Sequence, residues 1–339
     1  MCRFCEQAAF GPSVPYDPQL GRGGLAPGAN LPADLILHGG PILTMDPLRP
    51  VVGAIAIREG VIQHVGAADK LIPARGRMTR VTDLEGRVVV PGLIATGQRL
   101  PPDRDALSLD LWISGLVRQG ITTVELLDLG ADWADHDRLA ELLLRRHRLR
   151  LRGGIGPALR ADWQGEPLAP GMGHDLIRYD TMRVPLPSVA GSGVEAALAE
   201  AARLHRAGWA VVLDDVTSGS GMDPHTLASQ ADRMGEGIRL ASQITTDTSF
   251  DTTIQSLDQE TSVSGAACAR PLSADRLPAL TVHAARRAGV GDICGMLRPG
   301  FYADFAILDK RPGAGTVPEV LSTWIEGVPV RQETDHVAL

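Results

Sequence analysis

The residues of this chain best suited to chemistry are charged side chains at the ends of apolar, strand-length runs. Glu125 or Asp128 closes the run "ITTVELLD", Asp214 and Asp215 close "WAVVLDD", and Asp247 lies in "ITTDTSF". Two carboxylates in one mouth can do acid–base work when one raises the pKa of the other. Acidic residues at such positions also cap the next helix, so both readings stand. Arg99, in "VVVPGLIATGQRL", offers a fixed planar cation that could bind a carboxylate or stabilise a developing oxyanion; its alternative is a solvated arginine at a rim. The expected catalytic set is therefore Arg99, Asp214, Asp215 and Asp247, with Glu125, Asp128 and His174 as substrate-binding residues. His225 is a second loop histidine that could act in acid–base chemistry, but a lone histidine in a polar loop is usually only exposed. His283 falls inside a helical stretch where packing is expected, and His38 and His64 lie in β-rich runs remote from the chemistry.

The elements around these residues fall into three textures. Residues 11–32 are crowded with Pro and Gly and predict an irregular leader, extended here to 1–32. From Ala33, "ADLILHGGPILTMDP", "AIAIREGVIQHVG" and "VTDLEGRVVVPG" are short β-rich runs punctuated by turns, with Glu59-Gly60 as a hairpin turn. After Pro91, strand-length apolar runs alternate with helical stretches, which predicts parallel strands with crossover helices. The clearest helix is "GVEAALAEAARLHRAG", closed by Gly208. A further helix is expected in "SADRLPALTVHAARRAG", capped by Ser273 with Asp275 in its first turn. Beyond it "GMLRPGFYADFAILD" and "TWIEGVPV" return to β texture. The expected organisation is a sheet domain from residues 33–90 and 291–335, enclosing an α/β body at 91–290.

Composition narrows the function classes. The 339 residues suffice for one large barrel with a small satellite domain. A formal net charge of -7 argues against nucleic acid, which demands a basic stripe, and the few aromatics (Phe 5, Trp 5, Tyr 3) leave little to stack bases on. No run is long and apolar enough for a membrane span, and "MCRFCEQAAFGPSV" lacks a secretory apolar core, so a cytoplasmic protein is expected. Cys2, Cys5, Cys268 and Cys294 do not form a disulfide framework; a zinc clip from all four would lack ligand spacing in the second pair. The start "MCR" also matches hydrolases that use an N-terminal cysteine nucleophile, but that fold requires a strand directly after the cysteine, where this chain has its Pro/Gly leader.

These runs, together with "GITTV" and "ICGMLRPGFYADFAILD" followed by "WIEGVPV", resemble the amidohydrolase superfamily, specifically its long-chain amidohydrolase and cytosine-deaminase-like branches. The resemblance is specific over residues 33–94 and 273–330 and diffuse between them. It implies a (β/α)8 TIM-like barrel, complete or trimmed, with a small β-sandwich built from both chain ends. It also implies a homo-oligomer and chemistry at C–N bonds. In that family the first barrel strand ends in Asp-x-His-x-His, whose imidazoles share a divalent ion that activates water. Here Ile94 is followed by Ala95, Thr96, Gly97, Gln98 and Arg99, so the expected donors are replaced. A later metal-binding histidine is replaced by Asp214 and Asp215. The family's carboxylated lysine or glutamate is expected near "GHDLIRYDTM", yet the two lysines, Lys70 and Lys310, fall outside the barrel. The family's aspartate base aligns with Asp247 or, two residues earlier, with Thr245. The stretch from Pro91 to Gly289 sits at the lower limit of roughly 200 residues for an eight-stranded barrel.

The expectation is an amidohydrolase-like protein with a dismantled metal site and no cofactor. It would act without metal, by hydrolysis, elimination or cyclisation, on a small anionic or carbonyl-containing molecule. The alternative is a non-catalytic relative that binds a ligand or a partner subunit.

Overall fold

Gly92 divides the β-structure of the chain in two. The computed structural model describes residues 31–71, 75–127, 129, 133–143, 148–161, 168–173, 176–187, 193–214, 226, 229–231, 233, 238–241, 272–313 and 317–332. In chain order the first elements are β1 (Ala33–Leu43), β2 (Val51–Arg58), β3 (Val61–Gly66), α1 (Ala68–Leu71), β4 (Arg75–Asp83), β5 (Val88–Pro91) and β6 (Leu93–Gln98). Then come α2 (Ala106–Arg118), β7 (Ile121–Leu126), α3 (Trp133–Leu142), β8 (Arg150–Ile155), α4 (Pro157–Ala161), β9 (Met172–Gly173) and β10 (Ile177–Pro185). The last are α5 (Val194–Arg206), β11 (Ala210–Asp214), β12 (Ile238–Leu240), α6 (Leu277–Leu280), α7 (Val282–Arg287), β13 (Phe305–Leu308), β14 (Val320–Ile325) and β15 (Val328–Gln332).

Both chain ends build the first sheet, in the order β15-β14-β13-β5-β1-β2-β3, with β4 also beside β1. Its hairpins turn where the sequence places paired positive φ: Glu59 and Gly60 at 50° and 77°, and Glu326 and Gly327 at 55° and 69°. Two left-handed residues in succession match the twist of the flanking strands. One face buries Leu35, Leu37, Ile55, Ile57, Ile62 and Phe305, and Phe305 stacks on Trp324 with centroids 5.3 Å apart.

The second sheet runs β6-β7-β8-β10-β11-β12, every neighbour parallel and in chain order, with short β9 antiparallel on β10. Val124, Leu126, Leu151, Val211 and Leu213 share a core with Trp112, Ile113 and Leu116 of α2, Leu139 of α3 and Leu204 of α5. Burial of each such side chain contributes about 1.5–3 kcal/mol relative to exposure. Helices on one face and strands in sequential parallel order make this the α/β part of a TIM-like barrel. The chain passes from one sheet to the other at Gly92, where an added Cβ would fall on the Thr122 side chain.

The sheet is strongly curled, as its own ion pairs require. Arg239 of β12 reaches Glu125 of β7 at 2.5 Å, and Arg99, just after β6, reaches Asp214 of β11 at 2.8 Å. Each pair is separated by four strand steps, about 19 Å in a flat sheet, which the two side chains cannot span. The further strands expected for a full barrel would fall at 242–271, outside the described residues.

Three expectations change at the helices. The segment expected to be one helix from Ser273 is two short ones, α6 and α7, because Thr281 breaks the run with φ -124° and ψ -90°. Ser273 contributes its carbonyl to the amides of Arg276 and Leu277 instead of acting as the helix N-cap, a place taken by Arg276. His283 is exposed, because the buried face of α7 is Ala284 and Ala285, which meet Ile94, Ile293 and Tyr302. The helix closed by Gly208 is present as α5, with Gly208 left-handed at φ 91°. The leader to residue 30 lies outside the described residues.

Beneath the barrel, Arg150 of β8 ties the two sheets together. Its Nε donates to Asp304 at 2.5 Å, its Nη2 lies 3.3 Å from Glu326, and its guanidinium sits 3.7 Å over the Tyr302 ring. Burial opposes the Arg150 charge, but Asp304 outweighs that cost and raises its pKa. Replacing Asp304 with Asn leaves a buried arginine short of its charge partner, so urea unfolding is expected to show a loss of about 3–5 kcal/mol. A loss below about 1 kcal/mol would show that this cluster does not hold the sheets together.

Candidate active site

A bulge in the first barrel strand sets the site's geometry. The pairing of β6 with β7 runs Ala95↔Val124 and then Gln98↔Leu126, so Thr96 and Gly97 stand opposite Glu125 alone. Gly97 makes the bulge possible by adopting φ 67°, a conformation costly for other residues. Ladder contact resumes when Leu127 donates to the Gln98 carbonyl at 2.8 Å. Arg99 thus leaves the strand at the carboxyl end of the sheet and turns across the mouth.

There it meets Asp214, the final residue of β11. Arg99 Nη2 donates to one Asp214 oxygen at 2.8 Å, and Arg183 of β10 donates to the other, through Nε at 2.7 Å and Nη2 at 2.6 Å. The carboxylate is fully buried, whereas 34% of the Arg99 side chain and 18% of Arg183 stay exposed. Burial alone would raise the Asp214 pKa, but hydrogen bonds from Arg99 and then Arg183 outweigh it and hold the pKa below the ordinary aspartate range. Both oxygens are committed to cations.

Deeper in the barrel, register places more charge on the same face. Glu125, Arg152 and Arg178 are lateral partners across β7, β8 and β10, as are Arg183, Val212 and Arg239 across β10, β11 and β12. Arg152 lies 3.0 Å from Asp180, and desolvation lowers its pKa. Glu125 is buried; Oε1 accepts from Arg239, while Oε2 has no hydrogen-bond partner among the described residues. Cys294 is also buried, its thiol pushed up to about 12 chiefly by desolvation, so it is not a nucleophile at neutral pH.

The structure therefore brings Arg99 and Asp214 into direct contact and places Glu125 on the adjoining interior face. Asp128, His174, Asp215 and Asp247 lie outside the described residues, as do His225, Cys2, Cys5 and Cys268. His38 and His64 are on β1 and β3 of the first sheet. Sequence reasoning missed Arg152, Asp180, Arg183 and Arg239. The available signal was a charged residue in mid-strand between apolar neighbours, as in "AVVLDD" beside "IRL".

These residues do not fit a divalent ion. Gly97 brings no donor, Arg99 brings a positive charge, and both oxygens of Asp214 already accept from guanidinium groups. Among the described residues no group of three or more His, Cys, Asp or Glu side chains could hold a metal.

No family model matches the chain. Its fold is nevertheless shared with solved structures. An adenosine deaminase from Xanthomonas campestris with bound zinc superposes with a TM-score of 0.54 at 16% identity, over 88% of this chain and 93% of that one. An atrazine chlorohydrolase from Arthrobacter aurescens TC1 complexed with zinc gives 0.54 at 14% identity, over 90% and 97%. Curated relatives match over shorter segments. A 5-methylthioadenosine/S-adenosylhomocysteine deaminase of Syntrophobacter fumaroxidans is 50% identical over 64 residues, which is 18% of this chain and 14% of that protein. The corresponding deaminase of Nitratidesulfovibrio vulgaris (strain DP4) is 37% identical over 111 residues, 30% of this chain and 25% of that protein. Arabidopsis thaliana Protein LONG AFTER FAR-RED 3 is 43% identical over 70 residues, 21% of this chain and 12% of that protein. The matched segments thus span a quarter or less of these relatives. Among the described residues no helix is long and apolar enough to cross a membrane.

The depressed pKa of Asp214 has a definite sign. Its contribution to stability is complete above the unfolded aspartate value of about 3.9 and is lost as pH falls through the lower folded value. Asp214→Asn is expected to flatten the dependence of unfolding free energy on pH below about pH 4. An unchanged slope in urea titrations would show that the carboxylate is not held by the two arginines.

Proposed function

We propose that this protein is an amidohydrolase-like enzyme that works at the barrel mouth without the usual metal. Its substrate is a small anionic or carbonyl-containing molecule, and its reaction a hydrolysis, elimination or cyclisation. The observation that supports this reading most is the setting of Arg99: a partly exposed guanidinium just after the first barrel strand, anchored by a buried carboxylate at the end of β11. A preorganised cation in a partly dry site stabilises developing negative charge and needs no reorganisation to do so.

The carboxylates divide the work. Asp214 is a positioning residue: it fixes Arg99 and Arg183, and with both oxygens ion-paired it is poorly suited to carry a proton. Glu125, whose Oε2 has no hydrogen-bond partner among the described residues, is the described carboxylate best suited to acid–base work. Asp128, His174, Asp215 and Asp247 remain proposed members of the same site. A cytoplasmic location and a homo-oligomeric state are carried forward as proposals.

Two measurements decide the reading. Elemental analysis of protein purified without added metal is expected to find zinc and iron well below one atom per chain; stoichiometric metal at the barrel contradicts it. In a hydrolysis screen of small amides and cyclic amides bearing a carboxylate, run with chelator, turnover is expected to persist. Arg99→Met is then expected to lower kcat/KM by about 100-fold or more. An equal rate for Arg99→Met removes the stabiliser role, and no turnover across the panel favours the non-catalytic, ligand-binding alternative.

A further inference from the structure

We infer that Oε2 of Glu125 is the acceptor for an N–H group of the ligand, so that the molecule taken up at the barrel mouth carries an N–H donor beside its carbonyl. The inference rests on reading the mouth as a ligand site and extends it by naming a group the ligand must bring. Hydrogen-bond satisfaction comes first. Glu125 is 1% exposed; its Oε1 accepts from Arg239 Nη2 at 2.5 Å, and its Oε2 has no hydrogen-bond partner among the described residues. Bulk water does not supply the missing donor at such burial. A buried acceptor left without one costs about 1–3 kcal/mol, and more when it is charged. A donor that arrives with a ligand relieves that cost.

Neighbouring donors are directed elsewhere. Arg152, opposite Glu125 in the register of β7 with β8, lies 3.0 Å from Asp180. Arg239 donates its Nη1 to the Arg287 carbonyl, and Arg99 its Nη2 to Asp214. On the β6 side the bulge sets Gly97, which has no side chain, against Glu125. Only Leu126 follows Glu125 in β7, so the carboxylate belongs to the carboxyl end of the parallel strands, where barrel ligands enter. An ionised carboxylate only accepts, so the ligand must donate. A hydroxyl donor would bring Oε2 no closer to a carbonyl, whereas an amide or ureido N–H is bonded to the carbonyl carbon itself. The N–H group therefore fits the carbonyl chemistry proposed for the mouth.

The test reads binding and not turnover, so its failure is separate from failure of the catalytic reading. The full-length protein is titrated with pyrrolidinone and cyclopentanone, and with pyroglutamate and its carbocyclic analogue; each pair differs only by N–H against CH2. Binding is followed by calorimetry and by the side-chain carboxyl carbon resonance of Glu125. In at least one pair the N–H member is expected to bind about tenfold or more tighter and to move that resonance, while its partner leaves it in place. In Glu125→Gln the amide oxygen must face Arg239, which only donates, so the amide NH2 takes the place of Oε2 and the preference is expected to vanish or reverse. Arg87→Met, which removes an exposed cation on the first sheet, is expected to leave the preference unchanged. Equal affinity within both pairs overturns the inference and leaves the mouth a ligand site. Absence of binding by all the compounds overturns it too, as does a preference retained in Glu125→Gln. If that variant does not fold, the unmodified protein still decides: tighter binding of the N–H member that leaves the Glu125 resonance in place overturns the inference.

Discussion

Opposite charges meeting across the barrel interior hold this fold's functional end together. The interior of such barrels is ordinarily filled by layers of branched apolar side chains. Here Arg239–Glu125 and Arg99–Asp214 each span four strand steps, and Arg152–Asp180 joins neighbouring strands. Charged groups removed from water are costly unless each finds its partner, so the curl of the sheet and the pairing of the charges depend on each other. Guanidinium suits this task because its planar fork satisfies two acceptor positions and keeps its charge at any working pH.

That constraint links architecture to chemistry. An arginine at position 99 cannot coexist with a dication at the same place, and Asp214, once it has taken two arginines, has no oxygen left to ligate one. The positive centre at Arg99 is made of fixed N–H donors. Such a centre orients and stabilises anionic oxygen without activating water, and this is why the proposed chemistry places the acid–base work on side chains such as Glu125.

Much of the fold was legible because periodicity and turn chemistry agree with it. Glu59-Gly60 marks its hairpin, Gly208 ends α5, and the alternation after Pro91 gives the parallel strands. Arg99 and Asp214 could be singled out because they stand at strand ends. Asp214's second partner, Arg183, could not, since "RYDTMRVP" reads as an ordinary exposed alternation until β11 is known to lie beside β10. The bulge was also hidden: Gly97 read as a missing ligand, whereas its left-handed φ is what aims Arg99. At α6 and α7, the helical composition of "SADRLPALTVHAARRAG" outweighed in the reading the local break at Thr281.

A double-mutant cycle on Arg99 and Asp214 tests the account most directly, using Arg99→Met, Asp214→Asn and the pair, each unfolded in urea at neutral pH. Residues in direct ionic contact are expected to show a coupling of about 1–3 kcal/mol. Additivity within about 0.5 kcal/mol would mean that the two side chains do not meet across the mouth, and the cationic centre would have no foundation.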